Sequence, residues 1–179
     1  MAGSDLPPSA AAPRLHAPTP VKGPFASLMA AGIALALSFS ASADFTGRVV
    51  AVSDGDTITV LRLRKQVKVR LVEIDAPERA QPYGNRSKQA LAGLVRGQEV
   101  RVVERGKDRY HRTLGRVYRG DLDVNAAQVR QGMAWVFRRY ATDASLYPVE
   151  AEARERRRGL WRDDAPVPPW EWRQDPARE

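Results

Sequence analysis

The sequence predicts an α+β, mainly β fold: a small five-stranded barrel with three α-helices. Between residues 49 and 118, apolar side chains recur in short runs that alternate with polar ones. This period of two is typical of strands that are covered on one face. Only one helical pattern interrupts these segments, and the others follow them. A barrel is therefore favoured over a doubly wound parallel sheet.

The first three strands are predicted around two turns. Apolar residues at 49–52 and 58–63 flank Asp54 and Gly55, which predicts a β-hairpin. A second turn near Lys65 and Gln66 leads into a third strand at 67–71. There Arg70 alternates with apolar residues and so lies on the opposite face. Segments 100–103 and 114–118 are the predicted fourth and fifth strands.

Three helices are predicted, at residues 85–96, 125–131 and 148–158. Gly97 and Gly159 follow the first and third helices, where glycine favours the C-terminal cap. Asn125, with Gln128 three residues later, resembles a capping box at the start of the second helix. Pro148 suits the first turn of the third helix.

Both ends of the chain are expected to lie outside the main domain at 44–162. The C-terminal tail, 163–179, is rich in proline and tryptophan. Its prolines argue against a helix. Its tryptophans are expected to fold back onto the domain, because large exposed aromatic side chains are costly. Recognition of the prolines by a partner protein is the alternative.

Residues 1–43 have the features of a secretory signal peptide. An almost uninterrupted apolar run at 25–39 follows Lys22 and precedes small residues at 41–43, the order typical of such signals. A permanent membrane anchor is one alternative, but the run is shorter than the roughly 20 residues that a membrane-spanning helix needs. A buried core helix is the other alternative. We expect cleavage after Ala43 and a secreted or periplasmic protein. The Pro/Ala-rich stretch before Lys22 suggests that translation begins at Val21.

The net charge and the residue composition limit which partners and which catalytic groups are possible. The 179 residues carry a formal net charge of +8, which favours a polyanionic partner such as nucleic acid, anionic lipid or acidic glycan. Solubility through net charge is the alternative. The absence of cysteine excludes disulfides and thiolate zinc sites. After residue 43, His111 is the only histidine, which disfavours hydrolases that need a histidine pair. Carboxylates, arginines and hydroxyls remain as the groups that could carry out the chemistry.

Those groups concentrate in three segments, 54–57, 70–78 and 107–113. The first is also explained as an ordinary Asp-Gly turn, but Asp54 and Asp56 would repel each other without a cation or arginine between them. The second places Arg70, Asp75 and Glu78 near the end of one strand. Such dense polar clusters often serve function.

The third segment, 107–113, reads either as a solvated basic hairpin or as a phosphate-binding element. Arg112 begins a strand, so its guanidinium could be held rigidly for bidentate contact with phosphate. Tyr110 could bond a phosphate oxygen or stack on a base. His111 is interpreted as a turn residue because it has no histidine partner.

Segments 49–57, 69–78 and 108–116 resemble, in this order, the signature segments of the thermonuclease (staphylococcal nuclease-like) family, and 81–88 and 124–134 extend the match. The resemblance covers residues 46–161. It implies a five-stranded OB-fold barrel with three α-helices and a Ca²⁺-dependent endonuclease that hydrolyses DNA and RNA with little sequence specificity. We expect a monomer with no membrane association once the signal is removed.

The resemblance also implies a role for each acidic residue. Asp56 and Asp75 would bind the metal directly, helped by the backbone carbonyl of Ala76. Asp54 would act from the outer coordination shell. Glu78 would be the general base, or the group that orients the attacking water.

The basic and aromatic residues are expected to contact the substrate. Arg70 and Arg112 would clamp the phosphate and stabilise charge that grows in the transition state. Arg109 and Tyr110 would touch a terminal phosphate or a base, and Tyr140 would offer a stacking platform.

Departures from the family pattern are few. His111 replaces a common glycine, which is costly if that turn needs a positive φ. Ala76 stands where some members have threonine, but only its backbone is required to bind metal. Arg138 replaces a tyrosine of some members, which predicts weaker base stacking and stronger phosphate contact. The loop after Glu78 is short.

Two other function classes remain open. The first is a non-catalytic OB-fold module that binds nucleic acid. Such modules lack parts of the acid and arginine set, whereas this chain keeps all of its members: Asp56, Arg70, Asp75, Glu78 and Arg112. The second, binding of acidic glycans or lipid head groups, rests on charge alone.

Overall fold

The computed structural model describes residues 44–175, and the predicted signal peptide lies outside this range. Eight strands occur in these residues. They are β1 (Phe45–Val52), β2 (Thr57–Arg62), β3 (Lys65–Leu71), β4 (Ile74–Asp75), β5 (Glu99–Lys107), β6 (Thr113–Arg119), β7 (Leu122–Asp123) and β8 (Trp135–Val136).

The same residues form three longer helices, a one-turn α-helix and a 3₁₀ turn. The α-helices are α1 (Gly84–Val95), α2 (Val124–Arg130), α3 (Leu146–Glu155) and α4 (Pro169–Trp172), and the 3₁₀ turn is Gly159–Arg162. Across residues 44–175, no helix has the length and apolar character needed to cross a membrane.

Five strands close into the barrel that the sequence predicts. The main sheet has the order β3-β2-β1-β5-β6-β7, and β3 also pairs with β6. That last pairing is parallel and joins Val69 to Thr113 and Arg70 to Leu114. Because β3 and β6 meet, the long strands are left without a free edge along this seam. The fold is an OB-type barrel with helices packed on it.

The barrel is filled by side chains at the alternating positions. Val49, Ile58, Val60, Val69 and Leu71 are among the core residues that are at most 1% exposed. Helix α1 adds Leu91 and Val95 to the same cluster, and α2 adds Val124 and Val129. Leu91 and Val95, which are four residues apart, therefore form the buried face of α1.

A buried arginine fixes the turn that carries the later site residues. The guanidinium of Arg116 lies 2.7 Å from Glu73, 2.7 Å from Asp143 and 2.6 Å from Asp123. Glu73 sits between β3 and β4 with a φ of 67°. Burial alone would raise the pKa of Glu73, but hydrogen bonds from Thr142 and Asp143 and the charge of Arg116 lower it.

Local boundaries differ from the predictions at two turns. The turn between β2 and β3 is at Leu63 and Arg64, with φ of 46° and 66°, and Lys65 already begins β3. Helix α3 begins at Leu146, two residues before Pro148, and ends at Glu155. The predicted C-terminal end at 158 was wrong because the chain turns through Arg157, whose φ is 48°.

The predicted capping box at Asn125 was also wrong. The side chain of Asp123 caps α2 by accepting a hydrogen bond from the Ala126 N–H at 3.0 Å. Asn125 is fully buried instead, where it accepts from the Val117 N–H at 3.1 Å and donates to the Val72 carbonyl at 2.8 Å. A buried amide ties α2 to the barrel rather than starting the helix.

The tail folds back, as predicted, but it contains a helical turn that was not expected. Helix α4 starts with Pro169 at its first position, where the missing N–H costs nothing. Trp170 stacks in parallel on Phe137, with ring centroids 5.4 Å apart, and meets the edge of Trp135 at 5.8 Å. The aromatic packing therefore holds the tail on the domain.

Candidate active site

The turn between β1 and β2 holds the first pair of acids against two helices. Gly55 has no room for a side chain, because a Cβ there would overlap Ser87 of α1. From α2, Gln128 donates a hydrogen bond to the Gly55 carbonyl at 2.6 Å. The Asp56 N–H donates to the carboxylate of Asp54 at 3.1 Å. The turn is thus fixed by tertiary contacts as well as by Asp-Gly chemistry.

Asp56 connects this turn to the segment that follows β4. Its side chain is buried, and its Oδ2 accepts a hydrogen bond from the Ala76 N–H at 2.7 Å. Its Oδ1 accepts from the Thr57 hydroxyl at 3.1 Å. Sequence reasoning used Ala76 only for its carbonyl and did not give Thr57 a role. Here both residues orient the Asp56 carboxylate.

Arg70 joins the two predicted metal ligands. Its Nη1 lies 3.1 Å from Asp56 Oδ2, and its Nη2 lies 2.8 Å from Asp75 Oδ1. Nη1 also donates to the carbonyls of Leu71 and Ile74, at 2.8 and 3.0 Å. These two carbonyls flank the turn between β3 and β4, so the turn sets the position of the guanidinium.

The negative charge at Asp56 is only partly compensated. Burial raises the pKa of Asp56 to about 7; Arg70 opposes this rise, and nearby Asp54 and Asp75 add to it. Asp75 is only 1% exposed. A hard cation would stabilise the charged form of Asp56, and the buried Asp75 beside it offers a second carboxylate ligand.

Metal ligation here would need oxygens other than side-chain carboxylates. Within residues 44–175, no group of three or more His, Cys, Asp or Glu side chains is arranged to hold a metal ion. Calcium also accepts backbone carbonyls and water as ligands. The pair Asp56 and Asp75 would therefore hold a cation only together with such oxygens, and the contribution of the Ala76 carbonyl stays a prediction.

Glu78 follows this acidic pair in the chain, three residues after Asp75 at the end of β4. Its N–H donates to the Gln81 side chain at 3.0 Å, and its carbonyl accepts from the Gln81 N–H at 2.9 Å. Its side chain is 43% exposed, in contrast to the buried Asp75. A carboxylate that is fixed at the backbone and open to solvent is suited to act on a water molecule.

Sequence reasoning missed Arg173, which the tail brings into the site. Its Nη2 lies 2.7 Å from Asp75 Oδ2, and its Nη1 lies 2.6 Å from Glu78 Oε1. Burial alone would lower the pKa of Arg173, but hydrogen bonds to Asp75 and Glu78 raise it above the ordinary arginine value. The expectation that the tail tryptophans fold back was the only sequence signal pointing this way.

The turn between β5 and β6 contains the other predicted arginines. Asp108 accepts hydrogen bonds from Tyr110 N–H and Arg112 N–H, both at 2.9 Å, and from Arg112 Nε at 2.7 Å. Burial alone would raise the pKa of Asp108, but its hydrogen bonds from Arg112 and Tyr110 lower it. Because Arg70 pairs with Leu114, this turn leads directly into the strand beside Arg70.

The same turn exposes an aromatic ring between two cations. The guanidinium carbons of Arg109 and Arg112 lie 4.8 and 5.6 Å from the Tyr110 ring centroid, and Tyr110 is 63% exposed. His111 has a φ of 61°. It therefore occupies a left-handed position, which explains why the family pattern commonly has glycine there.

Tyr140 lies at the edge of the aromatic cluster that holds the tail. It is exposed, and its ring meets Phe137 edge-on at 4.8 Å. Arg138 pairs with the buried Glu150 at 3.3 Å and lies over the Tyr147 ring at 4.9 Å. The expected phosphate contact of Arg138 stays a prediction.

Comparison with known proteins places this chain in a family. The family model described as staphylococcal nuclease homologue matches residues 68–163. The chain is 48% identical over 156 residues to a micrococcal nuclease of Shigella flexneri, covering 81% of this chain and 90% of the relative.

Other relatives carry different names. An uncharacterized endonuclease of Escherichia coli O157:H7 is 52% identical over 132 residues, covering 73% of this chain and 86% of the relative. A protein of Escherichia coli named ParB is 45% identical over 163 residues, covering 83% of this chain and 92% of the relative. The chain belongs to the staphylococcal nuclease homologue family.

Proposed function

We propose that the protein is a secreted, Ca²⁺-dependent endonuclease that hydrolyses phosphodiester bonds of DNA and RNA with little sequence specificity. Its nuclease class follows from its family and from relatives that are named as nucleases. The observation that carries the finer proposal is the bridge from Arg70 to both Asp56 and Asp75. Glu78 is linked to the same Asp75 through Arg173. A buried acid pair, an arginine and an exposed carboxylate meet at one place.

Asp56, Asp75 and the Ala76 carbonyl are the residues that would hold calcium. Their fit rests on the two buried carboxylates and on the charge that Arg70 leaves uncompensated at Asp56. Once bound, the ion would supply electrophilic stabilisation of the phosphate oxygens. Asp54, through its hydrogen bond to the Asp56 N–H, would keep the ligand turn in place.

Glu78 acts on the attacking water in this proposal. One carboxylate oxygen takes the proton as the water oxygen bonds to phosphorus, and the bond to the leaving oxygen breaks. The side chain is exposed enough to reach a bound water, and the hydrogen bonds between Glu78 and Gln81 hold its backbone. Its present ion pair with Arg173 must open before it serves as a base.

Arg70 and Arg112 donate hydrogen bonds to the nonbridging phosphate oxygens. Charge on those oxygens grows toward the transition state, so preorganised guanidinium donors lower the barrier. Arg70 is held by two backbone carbonyls and Arg112 by Asp108, which keeps each guanidinium in place before substrate arrives.

Substrate contacts beyond the reacting phosphate are proposed for exposed residues. Arg109 and the half-open ring of Tyr110 would meet a neighbouring phosphate or base, and Tyr140 would stack on another base. Base stacking tolerates any sequence, because every base has an aromatic face. The net charge of +8 favours binding that weakens as salt is added.

The test uses the purified chain from Asp44 with plasmid DNA, single-stranded DNA and RNA, in calcium, magnesium or chelator. Glu78→Gln and Arg112→Ala are expected to lower the cleavage rate by about 10²–10³. The matched controls are Glu99→Gln and Arg130→Ala, at exposed positions on β5 and α2. Salt-sensitive binding with no cleavage in calcium would instead favour the non-catalytic OB-fold module.

Export and the monomeric state are proposed on the sequence pattern alone. Sequencing the N-terminus of protein recovered from the periplasm and the medium is expected to give Asp44 as the first residue. Recovery of unprocessed chain from the cytoplasm only would contradict export. Light scattering of the purified chain is expected to give the mass of one copy.

A further inference from the structure

The C-terminal strap, defined here as residues 165–173, reaches the acid cluster from outside the barrel. Gln81 donates a hydrogen bond to the Val167 carbonyl at 2.6 Å. Trp170 is stacked on Phe137 and meets Trp135. These contacts join the strap to β8 and to the loop after Glu78. They deliver the last strap residue, Arg173, to a defined place.

That place coincides with the proposed cation site. Both carboxylate oxygens of Asp75 are engaged, Oδ1 by Arg70 at 2.8 Å and Oδ2 by Arg173 at 2.7 Å. Arg173 also holds Glu78 at 2.6 Å. The Arg173 guanidinium therefore binds one oxygen of a proposed metal ligand, Asp75, and one oxygen of the proposed general base, Glu78, at the same time.

Charge makes joint occupancy unfavourable. Arg70 already lies 3.1 Å from Asp56 and 2.8 Å from Asp75. Arg173 lies 2.7 Å from Asp75 and 2.6 Å from Glu78. A divalent cation added among the same carboxylates would place further positive charge close to both arginines, where repulsion is strong. Arg70 is fixed by carbonyls of its own turn, whereas Arg173 is held by the strap and by the acids themselves.

We propose that Arg173 is a cation substitute that the strap inserts into the active site, so that calcium and the docked strap compete. In the closed state Arg173 neutralises Asp75 and blocks Glu78. Calcium binding requires its guanidinium to leave both carboxylates. This inference rests on the proposed calcium site, and the strap is then an autoinhibitory element of the enzyme.

Calcium affinity, measured by isothermal titration calorimetry on the chain from Asp44, tests the competition directly. The apparent dissociation constant rises as the competent fraction of molecules falls. Arg173→Gln is therefore expected to bind calcium about tenfold more tightly than the wild type if about nine molecules in ten are closed. The matched control, Arg130→Gln, removes one exposed arginine outside the acid cluster and corrects for net charge.

Each outcome decides a separate statement. An affinity for Arg173→Gln equal to or weaker than that of Arg130→Gln overturns the competition and leaves the calcium site standing. No calcium binding by any variant, wild type included, overturns the calcium site and this inference with it. Trp170→Ala, which removes the stack on Phe137, is expected to tighten binding as well; if it matches the control, the docked strap is not what places Arg173.

A second readout separates competition from a merely structural role. In chelator, Arg173→Gln is expected to lower the melting temperature, because the buried Asp75 loses one of its two arginine partners. With calcium added, the variant should gain more in melting temperature than the wild type does, since calcium no longer displaces a guanidinium. An equal gain in both proteins would contradict the proposal.

Discussion

Arg70 Nη2 lies 2.8 Å from Asp75 Oδ1, so an arginine expected to clamp phosphate already holds a buried carboxylate. The same guanidinium reaches Asp56 at 3.1 Å. Arg70 therefore has a structural role in the metal-free protein in addition to its proposed role in catalysis. The two roles have different experimental consequences.

Arg70→Ala is expected to destabilise the metal-free protein by about 3–5 kcal/mol, because two buried carboxylates lose a shared partner. Urea unfolding in chelator measures this loss. Calcium should restore part of the stability by supplying another positive charge. Arg130→Ala, at an exposed position, should change the free energy of unfolding by less than about 0.5 kcal/mol. A stable Arg70→Ala protein in chelator would contradict the bridging role.

Asp56 predicts a pH dependence of stability in chelator. Its folded-state pKa of about 7 lies above the ordinary value of 3.8. At any pH between these two values, Asp56 therefore binds more protons in the folded protein than in the unfolded chain. The contribution of Asp56 to stability therefore falls as pH rises from about 4 to 7. Asp56→Asn should remove this fall.

Comparing the wild type with Asp56→Asn separates the contribution of Asp56 from the contributions of other acidic residues. Glu73, Asp108 and Asp143 have lowered pKa values and lose stabilising charge as pH falls, in both proteins alike. Unfolding free energies from pH 4 to 8 are the measurement. Asp121→Asn, at an exposed site, is the control. Parallel pH profiles for wild type and Asp56→Asn would rule out the raised pKa.

Gly55→Ala tests whether the ligand turn depends on its close contact with α1. The new methyl group would overlap Ser87, so the turn or the helix must shift. We expect a loss of about 1–3 kcal/mol and weaker calcium binding, because Asp54 and Asp56 move with the turn. Gly93→Ala in α1, where a Cβ meets open space, should instead stabilise the protein by about 1 kcal/mol. Similar effects from both substitutions would contradict the steric argument.

Arg116→Met tests the buried network behind the site. It leaves Glu73, Asp123 and Asp143 without their shared cation, which is expected to cost about 3–5 kcal/mol. Because Glu73 lies in the turn between Arg70 and Asp75, activity should fall along with stability. Denaturant unfolding and a cleavage assay measure the two effects. Loss of stability with unchanged cleavage would separate the network from the site.

Much of the barrel was predictable because strand pattern depends on near neighbours. The alternation at 49–71 and the Asp-Gly turn were enough to predict the β1–β2 hairpin, and the structure confirms it. Capping of α2 was not predicted correctly, since Asn125 and Asp123 are both competent caps by residue type. Asn125 faces inward because its side chain hydrogen-bonds to the backbone of Val117 in β6 and of Val72, contacts that only the packed fold supplies.

The amino-acid sequence alone shows which residue types stand at the turns: Asp54 and Asp56 in the first, Asp75 and Glu78 at and after the end of β4, and Arg112 before β6. These placements follow from local spacing. It did not determine that Asp56 reaches Ala76, twenty positions away, or that Arg173 reaches Glu78 and Asp75, 95 and 98 positions away. Contacts at that separation depend on barrel closure and on the docking of the strap, which bring distant backbone segments together only after the chain has packed.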